Sequence, residues 1–174
     1  MGNLISIIAP MYNEEQLCSL YIEETMKVVL QLEPTYRVEI ICVNDGSKDN
    51  TLQKMYEAQE KYPQHIGVIN LTRNFGLEGA VNAGLKTAIG DALIVMDADL
   101  QDPPQLIIEM VKKWEAGADI VVASRESRTN DTFFKRTTSA IYYRILDALS
   151  GKMKLEKNAA NFRLLSRKAA DAVL

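Results

Sequence analysis

Apolar positions along the chain switch repeatedly between two spacings. Leu4 to Ala9, Val38 to Val43, Ile66 to Leu71, Ala92 to Met96 and Ile120 to Ala123 are short, nearly unbroken apolar runs, as expected of strands buried on both faces. Between them apolar residues recur at helical spacing. Glu14 to Leu32 carries Leu17, Leu20, Tyr21, Val28 and Leu32, and Asp49 or Asn50 can cap a helix running to Lys61. Ala80 to Ala88 makes a short helix, and Leu106, Ile107, Met110, Val111 and Trp114 form a stripe on another. Strands alternating with helices predict an α/β fold, a mainly parallel sheet sandwiched by helices.

In open sheets of this kind ligands bind beyond the carboxyl ends of the strands. The polar clusters fall there: Tyr12-Asn13-Glu14, Asn44-Asp45-Gly46-Ser47, Arg73-Asn74, Asp97-Ala98-Asp99 and Ser124-Arg125 follow strands one to five in turn. Five clusters on one edge predict a site.

The most specific stretch is ALIVMDADLQDPPQ, residues 92 to 105. Its apolar strand ends at Asp97 and Asp99, and residues i and i+2 of an extended strand point the same way. Both carboxylates are therefore expected at one site, with Gln101 continuing the parity. Asp102 before Pro103 reads as a helix N-cap followed by proline at the first helical position. Oxygen-only ligands suit magnesium or manganese held together with a substrate phosphate. Asp45 can accept hydrogen bonds from a ligand such as a nucleobase imide, or can close a plain Asx turn. Arg125 and Arg163 can each place a guanidinium on a diphosphate, or pair with a surface carboxylate. The glycine-rich RNFGLEGAVNAG has the spacing of neither the Walker loop nor the dinucleotide fingerprint.

Beyond Arg125 the alternation ends. Phe134, Ile141, Tyr142, Ile145, Leu146 and Leu149 are interspersed with Lys135, Arg136 and Arg144, the pattern of an amphipathic helix at a membrane surface or of an ordinary core-facing helix. The sequence stops at Leu174 inside what reads as a helix without a C-cap, which suggests a piece of something longer.

Composition narrows the class without choosing an activity. The 174 residues are 47% hydrophobic and 25% charged, with a net charge of −3, as in a soluble domain with a substantial core. Basic residues concentrate after position 124 while the preceding residues are net acidic, so the last third is expected to meet something anionic or to present a solvated basic face. Nucleic acid is disfavoured as a partner, because no binding motif accompanies that charge. No apolar run approaches the roughly 20 residues that span a bilayer. Cys18 and Cys42 read as buried free thiols in a reducing compartment. The single histidine, His65, is given no role.

Taken together, APMYNEE, VNDGSKDNT, RNFGLEGAVNAGL, MDADLQDPP, VVASR and NFRLLSRKA make the chain resemble family 2 glycosyltransferases of GT-A fold over essentially its whole length. Within the family it is most similar to the polyprenyl-phosphate group that includes bactoprenol glucosyltransferase and dolichol-phosphate mannose synthase. The resemblance implies metal-dependent, inverting transfer of a hexose from a nucleotide diphosphate sugar, with UDP-glucose favoured, to polyprenyl phosphate. A saccharide hydroxyl acceptor, or nucleotide-sugar binding without turnover, are the alternatives. It further implies that Pro10, Tyr12, Glu14 and Asp45 line a nucleotide pocket, to which Asn13, Asn74, Asp97 and Ala98 of the same clusters are added. Asp97, Asp99 and Gln101 are implied to serve a divalent metal, and Arg125 and Arg163 to face the phosphates. Residues 1–124 would form the nucleotide-sugar-binding core and 125–174 an acceptor- and membrane-facing segment. Relatives carry membrane-anchoring helices after this point, so the expected location is the cytoplasmic face of the cell membrane, with a homo-oligomer as one option.

One departure concerns catalysis. Asn161 stands where relatives commonly have an acid directly before Phe-Arg-Leu. A lipid phosphate acceptor, with a second pKa of about 6, is already largely anionic at neutral pH and needs no base. Asn161 is then expected to position the acceptor or Arg163, or to weaken turnover.

Overall fold

All but the first residue of β1 (Leu4–Met11) are buried. The computed structural model describes residues 3–124 and 159–174, and in it β1 pairs in parallel with β2 (Arg37–Asn44) on one side and β4 (Ala92–Val95) on the other. A strand paired along both edges and covered on both faces can be apolar throughout. Parallel β3 (Ile66–Asn70) extends the sheet beyond β2. With β5 (Ile120–Ser124) and β6 (Ala159–Ser166), the order is β3-β2-β1-β4-β6-β5. The helices are α1 (Cys18–Leu32), α2 (Thr51–Lys61), α3 (Leu77–Thr87), α4 (Leu106–Glu115) and α5 (Arg167–Asp171).

Ile8, Val43, Leu93, Val95 and Leu165 turn to one face of the sheet, where α3 and α5 pack through Val81, Leu85 and Ala170. A Cβ at Gly84 of α3 would stand 2.3 Å from Ile8 Cγ2, so this helix is seated against the sheet at a distance only glycine permits. Alternation sends Ile7, Ile40 and Ile94 to the opposite face, and they too are fully buried. Burying each such side chain contributes roughly 1.5–3 kcal/mol relative to exposure. Helix α1 contacts β2, α2 and α4, and its inner surface is formed by Tyr21, Ile22, Thr25, Val28, Val29 and Leu32. Leu20, expected in that stripe, is 47% exposed.

The sixth strand is the main difference from the sequence reading. Ala159–Ser166 runs antiparallel to β4, with Arg163 opposite Val95, and enters the sheet between β4 and β5. Phe162, Leu164 and Leu165 are buried there. Some of the basic character of the tail is likewise internal. Arg167 donates through Nε to the Gly90 carbonyl at 3.0 Å and through Nη2 to the Ala88 carbonyl at 2.8 Å, closing the end of α3, whereas Lys168 is exposed and lies 3.3 Å from Asp119 at the surface. Helix α5 ends at Asp171 with Ala172 as its C-cap, so the last residues lie outside it.

Helix α4 begins later than Asp102 and Pro103 suggested. Pro104 disfavours helical geometry at the residue before it, and i→i+3 bonds from Leu106 to Pro103 (3.1 Å) and from Ile107 to Pro104 (3.0 Å) form a tight turn first. Its N-cap is Gln105. Residues 3–122 and 161–174 belong to one compact unit. Arg125 and the stretch from Phe134 to Leu149 lie outside the described residues. Among the described residues no helix is long and apolar enough to cross a membrane. Cys18 and Cys42 are buried and free, and burial pushes the Cys18 thiol up to about 11.

Candidate functional site

Successive strands β1, β2 and β3 step one way across the sheet, and β4 then lies on the other side of β1. The segments leaving β1 and β4 consequently diverge, and at such a reversal of strand order a crevice opens past the strand ends. A cavity of about 310 Å³ occupies it, within the size range of small-molecule sites. Pro10, Tyr12 and Glu14 come from the end of β1, Asp45 from β2, Asn74 from the loop before α3, and Asp97, Ala98 and Asp99 from the end of β4. Those expected residues are thus brought together. Met11, Gly76, Leu77 and Ala80 complete the wall and were missed, although the glycine-rich run before α3 was visible. Gly76 takes φ +83 at the N-cap of α3, a conformation favouring glycine.

Asp97 and Asp99 meet in the cavity, but not by strand parity. Strand β4 ends at Val95, and the chain turns through Leu100 at φ +55. Asp99 Oδ1 accepts the Gln101 N–H at 3.0 Å, closing an Asx-type turn. Because this turn breaks the extended geometry, exposed Gln101 is not carried into the cavity wall.

Asp45 is neither a local Asx turn nor simply a group awaiting a ligand. It is 3% exposed. Its Oδ1 accepts the Phe75 N–H at 2.7 Å and its Oδ2 the Gly76 N–H at 3.0 Å. Each carboxylate oxygen has a second lone pair that can serve a ligand. Next to it, Gly46 has φ +67, and a Cβ there would stand 2.4 Å from the Arg73 carbonyl carbon. Asn13 also serves the scaffold: at φ +55, its N–H donates to Ser47 Oγ at 3.0 Å and its Oδ1 accepts the Lys48 N–H at 2.9 Å, outside the cavity wall.

Glu14, Asp45, Asp97 and Asp99 line the cavity with no cationic side chain among the described residues. Burial, and then the charges of Asp99 and Asp49, hold the Glu14 carboxyl above the usual range. This concentration of carboxylates suits a cation and disfavours a bare anion. No group of three or more His, Cys, Asp or Glu suited to a metal occurs among the described residues. A cation here would take Asp97 and Asp99 as protein ligands and complete its shell with ligand oxygens and water.

Arg163 is half-buried on β6 opposite Val95, the last residue of β4. Its backbone therefore lies at the site edge of the sheet, though it does not line the cavity. Asn161 lies two residues away on β6, past the end of β4, and its side chain is outside what is described.

The fold has counterparts among known proteins. A family model described as glycosyl transferase family 2 matches residues 6–174. An uncharacterised glycosyltransferase of Synechocystis sp. is 44% identical over 169 residues, covering 97% of this chain and 52% of the relative. The bactoprenol glucosyl transferase of Shigella phage SfV is 40% identical over 169 residues, covering 97% of this chain and 54% of its own length. This chain thus spans about half the length of the curated relatives it matches. Glucosyl-3-phosphoglycerate synthase of Mycobacterium tuberculosis, solved with Mn2+, UDP and glucosyl-3-phosphoglycerate, superposes with a TM-score of 0.69 at 20% identity, covering 96% of this chain and 58% of that one. The α/β architecture is that of the GT-A glycosyltransferases, and the chain belongs to glycosyl transferase family 2.

Proposed function

We propose that this chain is the donor-binding and catalytic core of a metal-dependent, inverting glycosyltransferase. It moves a hexose, glucose in the favoured reading, from a UDP-sugar to polyprenyl phosphate at the cytoplasmic face of a membrane. The carboxylate-lined cavity in the β1/β4 crevice carries this reading, and the bactoprenol glucosyl transferase among the 40% identical relatives supports the acceptor.

Tyr12, 41% exposed at the wall, offers a ring face to the nucleobase, and the remaining lone pairs of Asp45 accept from its N–H groups. Asp97 and Asp99 would hold a divalent ion, magnesium or manganese, against the diphosphate. Such an ion, when bound, offsets the negative charge that develops on the departing nucleotide. Arg163, and Arg125 by its resemblance, counter charge on the phosphates. An acceptor phosphate oxygen attacks the anomeric carbon from the face opposite the diphosphate, and configuration inverts. Since that oxygen is already ionised, no carboxylate is required as base, and Asn161 fits a positioning role.

The test is to incubate the chain with UDP-[14C]glucose, a short polyprenyl phosphate and Mn2+. The expected product is chelator-sensitive label in the lipid phase. Label in a water-soluble saccharide would replace the lipid with a hydroxyl acceptor. Tight nucleotide binding with no product under any acceptor would reduce the chain to a binding domain.

A further inference from the structure

We propose that Thr51, backed by Asp49, is a positioning residue for this cavity: it fixes the loop between β1 and α1 and so sets where Tyr12 and Glu14 meet a nucleotide. The proposal rests on the donor-site reading above.

Thr51 is fully buried and does not line the cavity. Its Oγ1 accepts the Glu14 N–H at 2.8 Å and donates to Asp49 Oδ1 at 2.5 Å. Its own N–H reaches the same Asp49 oxygen at 3.0 Å, while Asp49 Oδ2 accepts the Glu15 N–H at 3.1 Å. The bonding is reciprocal, because Glu15 Oε2 accepts the Asn50 N–H at 3.0 Å and Asn13 Oδ1 accepts that of Lys48. The backbone amides of residues 13 to 15 are all taken by side chains of the loop after β2 and of Thr51, the first residue of α2.

That grip is needed because Asn13 sits at φ +55, a region L-residues enter uphill. Of all these bonds, the one at Thr51 is the least replaceable. A hydroxyl can accept from Glu14 and donate to Asp49 at once, and at a fully buried position no water can substitute for it. Valine has the same shape and does neither.

The experiment titrates UDP with Mn2+ into the wild-type chain, Thr51→Val, Thr51→Ser and Asp49→Asn, alongside melting curves and amide exchange at Glu14 and Glu15. Thr51→Val loses both hydroxyl bonds, to Glu14 and to Asp49, and should bind UDP at least about tenfold more weakly, with faster exchange at both amides. Thr51→Ser should restore binding to within about twofold of wild type, since it retains the hydroxyl. Unchanged affinity in Thr51→Val, or equal losses in the Val and Ser variants, would overturn the proposal. If Thr51→Val does not fold, Asp49→Asn decides, because it keeps the size but loses the two-sided acceptor; unchanged UDP affinity there also overturns it. A wild-type chain that binds no nucleoside diphosphate sinks the donor-site reading instead. Amide exchange then settles the loop-holding claim by itself: faster exchange in Thr51→Val upholds it, and unchanged exchange refutes it.

Discussion

The Gly76 N–H donates to Asp45 Oδ2 at 3.0 Å, and the Phe75 N–H to Oδ1 of the same carboxylate at 2.7 Å. One buried side chain thereby ties the end of β2 to the start of α3. Asp45→Ala leaves the Phe75 amide without its acceptor and the Gly76 amide with only Asn74 Oδ1 at 3.0 Å, so we expect about 1–3 kcal/mol of lost stability together with weaker UDP binding. Urea unfolding and titration check both, and a stability change inside the ±0.5 kcal/mol typical of neutral surface substitutions would refute the tie.

Asp99→Ala should abolish sugar transfer while leaving the melting temperature close to wild type, since the carboxylate caps only an exposed turn. Full activity in this variant, or in excess chelator, would rule out the assigned metal role.

Glu14 carries a pH signature. Its native carboxyl titrates above the ordinary value through burial and the charges of Asp99 and Asp49, so the native state holds this proton more tightly than the unfolded chain. The stability it contributes is full below the ordinary carboxylate value and is lost as pH rises through the raised one. Glu14→Gln should therefore melt higher than wild type at neutral pH in metal-free buffer, with the difference vanishing in acid. Parallel melting curves across the whole pH range would contradict this.

Arg167→Met tests whether the basic tail is partly scaffold. Loss of the bonds to the Ala88 and Gly90 carbonyls should cost roughly 1–3 kcal/mol, as hydrogen bonds from a charged donor do. UDP affinity should be unchanged. Unaltered stability with weakened binding of anionic vesicles would instead assign this residue to a surface role.

Five strands were legible as nearly unbroken apolar runs; burial on both faces explains this for β1, β2 and β4, whereas the edge strands β3 and β5 keep the pattern with part of their apolar surface exposed. The sixth was not: Asn161-Phe162-Arg163 carries polar groups beside buried Phe162, and no helical spacing introduces it. Asp97 and Asp99 were placed at the right edge for an incomplete reason, since a turn past Val95 rather than strand parity brings them together. Asp45 was legible as a binding carboxylate, but its partners lie about thirty residues away, a distance no local pattern reveals. Helix capping at Asp49 or Asn50 accounted for the motif around Thr51 so readily that the cross-loop role of its hydroxyl stayed hidden. The structure gives the capping to Asp49, whose carboxylate takes the Thr51 N–H, and none to the Asn50 side chain.

Because Ala159–Ser166 sits between β4 and β5, the nascent polypeptide cannot finish its sheet in the order it is synthesised. A fragment ending at residue 124 would expose one whole edge of β4, the strand that leads into Asp97, as a row of unpaired amides and carbonyls. Such a piece should aggregate on expression, whereas one extended through residue 174 should remain monodisperse.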